Sequence, residues 1–336
     1  MLKQLLLAAV ATGLMAGPAV ADKVYRLKFG HFLPVQSLTH SNLFVPMAEK
    51  INEETGGQVV IQIFPGGSLG RNPRAQLQLL MDGVTDISFI VQSYTPGEFP
   101  DNSLMELPLV MESTREASLV HQRLYERGLL RGYDKVHVLG LGTTSAYTTH
   151  MNFDYGSLDD LKGRKIRVAT GIQSKIIEAL GGTPVGGIPV TQTAESLSRG
   201  VIDGTLLGWE SMNTFRVIPT VTHHVNVPQG FTPLMIGMNK KKYESLPANL
   251  QAVIDKYSGD WIAERMAQNY ETVGGQARDT AAATGRNTTV ALSADERGRW
   301  EERLTPIIDD WKATHPNGDA LFAAMQEELT KVRASQ

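Results

Sequence analysis

VYRLKFG at residues 24–30, VVIQIF at 59–64 and DISFIV at 86–91 are three short apolar runs whose spacing decides the fold. Each is β-branched or alternating and too short for a helix, so each reads as a strand. Between the first two, Ser41 to Glu54 carries Leu43, Met47 and Ile51 at helical spacing and stops at Gly56-Gly57. Between the second and third, Pro73 to Met81 reads as a helix closed by Gly83. Strand, helix, strand, helix, strand is the pattern of parallel βαβ units with right-handed crossovers. The pattern recurs downstream: Lys165 to Ala169 (KIRVA) reads as a strand, Ile172 to Leu180 as a helix stopped by Gly181-Gly182, and Ile202 to Leu207 as another strand. Two such units in one chain predict an α/β protein with two lobes.

Past residue 245 the character becomes helical. Pro247 suits a first turn, and Leu250, Val253, Ile254, Tyr257, Trp261 and Ile262 keep one apolar stripe that continues toward Ala283. This predicts one helix of more than 30 residues, long enough to brace both lobes. Ser293 with Glu296 has the form of a capping box that opens a last amphipathic helix through Trp300, Leu304 and Ile308.

The chain has 336 residues, 42% hydrophobic and 20% charged, the composition of a soluble globular protein. Its length predicts two domains. A net charge of −3 offers no polybasic field for nucleic acid. The absence of cysteine removes disulfides, thiolate zinc sites, iron–sulfur clusters and a cysteine nucleophile. Residues 1–21 (MLKQLLLAAVATGLMAGPAVA) combine Lys3, an apolar stretch from Leu5 to Met15 and the small-residue site Ala19-Val20-Ala21. That is a secretory signal peptide, with cleavage expected before Asp22. The apolar stretch is shorter than the about 20 residues that a bilayer requires. Export of a cysteine-free chain points to a bacterial periplasm.

Several motifs carry competing readings. Gly66-Gly67-Ser68-Leu69-Gly70 matches the nucleophile-elbow string of serine hydrolases, but too few residues precede Ser68 in an exported chain to build the required sheet and oxyanion loop, so a glycine-rich turn is expected. Gly140-Leu141-Gly142 mimics a dinucleotide fingerprint without its third glycine or its following helix, since Tyr147-Thr148-Thr149 reads extended. His223-His224 lies on a strand, where neighbours face opposite sides and cannot share one metal ion. His31 and His40 are scattered, and no Ser/His/Asp set can be assembled. Neither a metal site nor a cofactor is expected, and no catalytic residue is assigned. Arg167 sits on its strand with Ile166 and Val168 on the opposite face. It is either half of a buried structural ion pair or a receptor for an anion, whose carboxylate its planar fork would hold bidentately. Trp209-Glu210, just after the strand Ile202–Leu207, leaves core packing and ligand stacking open.

A family resemblance then emerges from HFLP at 31–34, FPGGSLG at 64–70, GVTDISF at 83–89, SYTPGEFP at 93–100, MELPLV at 105–110, SLDDLKGRKIRVA at 157–169, SRGVIDGTLLGWE at 198–210 and MNKKKYESLPANLQAVID at 238–255. In this order and spacing the chain resembles the periplasmic solute receptors of TRAP (tripartite ATP-independent periplasmic) transporters, of the dicarboxylate-receptor (DctP) type. The resemblance implies a two-lobed periplasmic binding protein fold with strands crossing between the lobes, a long helix spanning both, and closure around a small organic acid. The lobes are expected at 22–145 plus 232–273 and at 146–231 plus 274–336. It implies no catalysis, and delivery of the ligand to a small and a large membrane subunit for uptake driven by an ion gradient. A secreted serine hydrolase using Ser68 and a receptor feeding a sensor kinase are the rival readings.

Arg167 falls on the arginine of the family's KIR motif, which pairs with the ligand carboxylate. The chain departs from the sugar-acid members of the family, with Phe32 in place of a polar Asn and Leu206-Leu207-Gly208 in place of Glu-Asn-Pro. A second arginine found in many members is absent, Ser145-Ala146-Tyr147 occupying its region. Polyhydroxylated acids would bury unpaired hydroxyls against such walls. The expected ligand is therefore a small monocarboxylate with an apolar or aromatic body. Arg167 would take its carboxylate, Phe32, Tyr94, Tyr147 and Trp209 would line the pocket, and Gln92 and Glu210 would offer hydrogen bonds.

Overall fold

The computed structural model describes residues 23–335, so the expected signal peptide and its cleavage site lie outside the described residues. Among the described residues there are eleven strands: β1 (Tyr25–Gly30), β2 (Val59–Phe64), β3 (Ile87–Val91), β4 (Val136–Thr143), β5 (Thr148–Met151), β6 (Lys165–Arg167), β7 (Thr183–Val185), β8 (Gly204–Leu207), β9 (His223–Val225), β10 (Pro233–Asn239) and β11 (Thr288–Val290). They form two sheets, ordered β2-β1-β3-β10-β4 and β11-β9-β5-β8-β6-β7. The first three strands pair in parallel, as their intervening helices require, and so do β7, β6 and β8. Each sheet also contains strands that run the other way, because the chain crosses between the lobes and returns.

Residues 144–147 lead from β4 to β5, and residues 226–232 lead from β9 back to β10. These two crossings hydrogen-bond to each other: Thr144 N–H donates to Thr232 O, Tyr147 N–H to Gly230 O, and Gln229 N–H to Tyr147 O, all within 3.0–3.1 Å. These paired crossings join the two sheets side by side.

The expected long helix is present as a helical run from Ala248 to Ala283 that breaks once. Gly259 takes φ +60° and ψ −129°, which glycine reaches without the cost a Cβ would add, and its N–H donates to Leu139 O of β4 at 2.7 Å. Below the break, the helix Asp260–Ala283 lies on β4. A Cβ on Gly140 or Gly142 would come within 2.5 Å of Ile262 or Met266, so these glycines exist for close packing and not for a dinucleotide. Further along, Gly274 approaches Trp209, which places the helix against both lobes.

The last two helices are Ala294–Thr314 and Gly318–Ala334. Ser293 accepts from Glu296 N–H as expected, but the Glu296 carboxylate turns outward to accept from Leu158 N–H at 2.5 Å, so only half of the box forms. The terminal helix packs on the first lobe's helix Thr114–Glu126, where Arg333 pairs with Glu116 at 2.9 Å. It also packs on Ala294–Thr314, which in turn packs on the helix Gly171–Ala179. Among the described residues no helix is long and apolar enough to cross a membrane.

Candidate ligand-binding site

Alternation along β6 sends Ile166 and Val168 into the core and Arg167 to the other face. Arg167 is only 1% exposed, yet no carboxylate pairs with it among the described residues. Its Nε and Nη2 both donate to the carbonyl of Ile188, at 3.2 and 3.1 Å. Burial pushes the guanidinium pKa down, and the neighbouring Tyr94 hydroxyl opposes that shift. A structural ion pair, one of the two readings open from sequence, does not form. What remains is a buried cation whose desolvation is offset by the Ile188 carbonyl and the neighbouring Tyr94 hydroxyl, with no opposite charge beside it among the described residues.

Arg167 faces a cavity between the lobes shared with Phe32, Tyr94 and Tyr147, three of the aromatic residues expected there. Phe32 follows β1 and packs on Phe89 with ring centroids 5.8 Å apart. The Tyr94 ring carries the Arg74 guanidinium over its face at 4.7 Å. Tyr147 comes from the first crossing, and its hydroxyl donates to Glu106 O at 3.2 Å. Burial raises its phenol well above the ordinary range, so it stays a neutral donor. Val190, Leu206, Leu207 and Phe215 complete a predominantly apolar wall, with Gln173, Ser211 and Tyr270 as its polar points.

Gln92, Trp209 and Glu210 do not border this cavity. Phe89 and Val91 face it from β3, while Gln92 opens the 3₁₀ turn Gln92–Tyr94 that follows and turns away, its Nε2 donating to Tyr133 Oη at 2.6 Å. Trp209 begins the short helix Trp209–Thr214, and that turn aims the indole away from the cavity, toward His150 and His224. Its Nε1 donates to Asn226 Oδ1 at 2.8 Å. Glu210 is buried beside the first crossing, hydrogen-bonded by Ser145 and Ser211, with burial raising its carboxyl pKa. Trp209 is buried in the core and does not border the cavity, because neighbourhood in sequence does not fix the rotation of a helix.

Two lining residues were within reach of sequence reasoning. Gln173 opens the helix after β6, at the carboxyl end of a parallel strand where α/β ligands gather, and its Oε1 accepts from Ala169 N–H at 2.7 Å. Phe215 closes the helix that Trp209 begins. Tyr270 carries no such signal, since it arrives from the bracing helix by tertiary packing alone.

The remaining motifs lie elsewhere. Ser68 is exposed in a turn where Gly66 and Gly67 hold φ of +65° and +70°, and it does not line the cavity. His224 donates to or accepts from His150 at 2.8 Å and meets Asn287 at 2.8 Å, while His223 faces the other way. No group of metal-ligating side chains assembles among the described residues. Among the described residues the cavity thus offers one guanidinium without a carboxylate partner, an apolar enclosure and a few neutral polar atoms.

Comparison with known proteins agrees. Residues 29–314 match the model of the DctP family, bacterial extracellular solute-binding protein family 7. A marine metagenome TRAP solute-binding protein specific for aromatic acid ligands, solved with 3-hydroxybenzoate, superposes with a TM-score of 0.86 at 30% identity, covering 92% of this chain and 99% of that one. A TRAP solute-binding protein of Rhodoferax ferrireducens T118, solved with copurified benzoate, gives 0.84 at 25% identity, over 93% of this chain and 99% of that one. The C4-dicarboxylate-binding periplasmic protein of Rhodobacter capsulatus is 25% identical over 303 residues, 87% of this chain and 88% of its own. The two lobes, the paired crossings, the bracing helix and this match over most of the chain make the protein a member of the DctP family of TRAP solute-binding proteins.

Proposed function

We propose that this protein is the periplasmic receptor for a small aromatic monocarboxylate, which it hands to the small and large membrane subunits of a TRAP transporter. The observation that carries this reading is Arg167, a buried guanidinium with no carboxylate of its own. A ligand carboxylate would supply the missing charge through a bidentate pair, and Phe32, Tyr94, Tyr147 and Phe215 would enclose a ring. The solved relatives that hold benzoate and 3-hydroxybenzoate support that choice. Gln92, Trp209 and Glu210 act in this reading as braces behind the wall. Export would follow removal of residues 1–21 before Asp22.

Calorimetry against benzoate, 3-hydroxybenzoate, succinate and a sugar acid tests the proposal. The aromatic acids should bind and the methyl ester of benzoate should not. A preference for succinate or the sugar acid would overturn it.

A further inference from the structure

The lobes also meet at a second buried ionisable group. Glu106 ends the 3₁₀ turn Pro100–Glu106 in the first lobe and is 3% exposed. Its two carboxylate oxygens meet hydroxyls from opposite lobes. Ser93, just past β3, bonds Oε1, and Thr170, which caps the helix Gly171–Ala179, bonds Oε2. Thr170 follows Arg167 by three residues, so the contact ties the arginine's strand to the facing lobe.

The charged and titratable groups around Glu106 are otherwise engaged. Lys175 borders the same crevice but pairs with Asp310 at 2.5 Å. Arg74 lies over the Tyr94 ring, Asp101 on the same turn is held by Arg131, and the Tyr147 hydroxyl reaches only the Glu106 backbone carbonyl. Among the described residues no cation pairs with this carboxyl group. Hydroxyls both donate and accept, so Ser93 and Thr170 can bond the group whether or not it carries a proton.

We propose that Glu106 is a positioning residue that latches the lobes together over the ligand in its protonated form, so that closure takes up one proton and opening returns it to water. This rests on the receptor reading above. Burial, opposed by the two hydroxyl bonds, lifts the carboxyl pKa to about 7 in the closed protein. Rehydration on opening would return it toward the ordinary value of about 4.3. The sign follows from that order. A pKa higher in the closed than in the open state favours closure at low pH, and the advantage is lost as pH rises through about 7. A ligand that binds the closed state would lose about tenfold in affinity between pH 6 and pH 8.

The test is calorimetry with benzoate, which stays ionised across that range, on wild type, Glu106→Gln and Glu106→Ala. Wild-type affinity should fall about tenfold from pH 6 to pH 8, with proton uptake detected by comparing buffers of different ionisation heat. Glu106→Gln mimics the protonated acid, so it should bind equally at both pH values. Glu106→Ala should bind weakly at both. A flat wild-type profile, or a slope that survives in Glu106→Gln, overturns the latch. If benzoate binds at neither pH, the aromatic-acid reading is what fails, and small-angle scattering on the unliganded proteins decides the latch. Glu106→Gln should then be more compact than wild type at pH 8 and equal to it at pH 6, and matching radii throughout would overturn the proposal.

Discussion

Arg167 in the second lobe and Asp101 in the first are each 1% exposed, and their surroundings differ completely. Asp101 receives the backbone N–H of Arg131 at 2.7 Å and the Nε of its guanidinium at 3.0 Å, with His315 at 3.3 Å. Burial alone would raise its carboxyl pKa, but the Arg131 contacts outweigh it and hold the group below the usual carboxylate range. Arg167 has one backbone carbonyl. A buried charge met by its own chain is a structural joint. One left without an opposite charge is, under the function proposed above, where a ligand carboxylate would bind.

The largest expected effect separates these roles. Arg167→Ala should weaken benzoate binding by about 2–5 kcal/mol. At about 1.4 kcal/mol per decade that is roughly 30- to 4,000-fold by calorimetry. Its unfolding free energy should stay within about 1 kcal/mol of wild type, because no ion pair is broken. Near-wild-type affinity would return Arg167 to a structural role. Arg131→Ala should show the reverse, with benzoate affinity kept and urea unfolding showing a loss of about 2–3 kcal/mol, because Asp101 is left buried without its main partner. If both variants lose only affinity, or both lose only stability, the contrast collapses.

Acid sharpens the comparison. Asp101 has a depressed carboxyl pKa in the folded state, so its contribution is full above the ordinary carboxylate value and is lost as pH falls through the lower folded value. Urea midpoints should therefore fall more steeply below about pH 4 in wild type than in Asp101→Asn, which carries no such titration. Equal slopes would remove Asp101 as the group responsible. The smallest effect belongs to Ser68→Ala, which should change stability by no more than about 0.5 kcal/mol and leave benzoate affinity intact. Wild-type turnover of a nitrophenyl ester that disappears in this variant would revive the hydrolase reading.

Local pattern reached a definite depth here. The runs near residues 27, 61 and 89 became β1, β2 and β3: β3 is buried on both faces, while β1 and β2 alternate buried with more open positions, and both patterns are strand signals. The apolar stripe after Pro247 became helix for the same kind of reason, and only the break at Gly259 escaped it. That break depends on Leu139, more than a hundred positions away, accepting the Gly259 N–H. Arg167, Phe32, Tyr94 and Tyr147 line one cavity, whereas Gln92, Trp209 and Glu210 do not border it. The first group includes the residue placed by motif and strand alternation. Phe32, Tyr94 and Tyr147 were placed by proximity in the chain, as was the whole second group, and proximity says nothing about which way a side chain finally turns.

What the amino-acid sequence determined alone is the order of strands and helices, the export segment as a pattern, and the face of β6 on which Arg167 stands. Each depends on a periodicity of two or of 3.6 residues and on turn chemistry, which are local. Only the tertiary structure decided that no acid stands opposite Arg167, that Trp209 faces the His150–His224 pair, and that Glu106 joins Ser93 to Thr170 across the cleft. These are statements about what lies on the far side of a gap. Periodicity orients a side chain, and it is the packing of distant segments that supplies, or withholds, its partner.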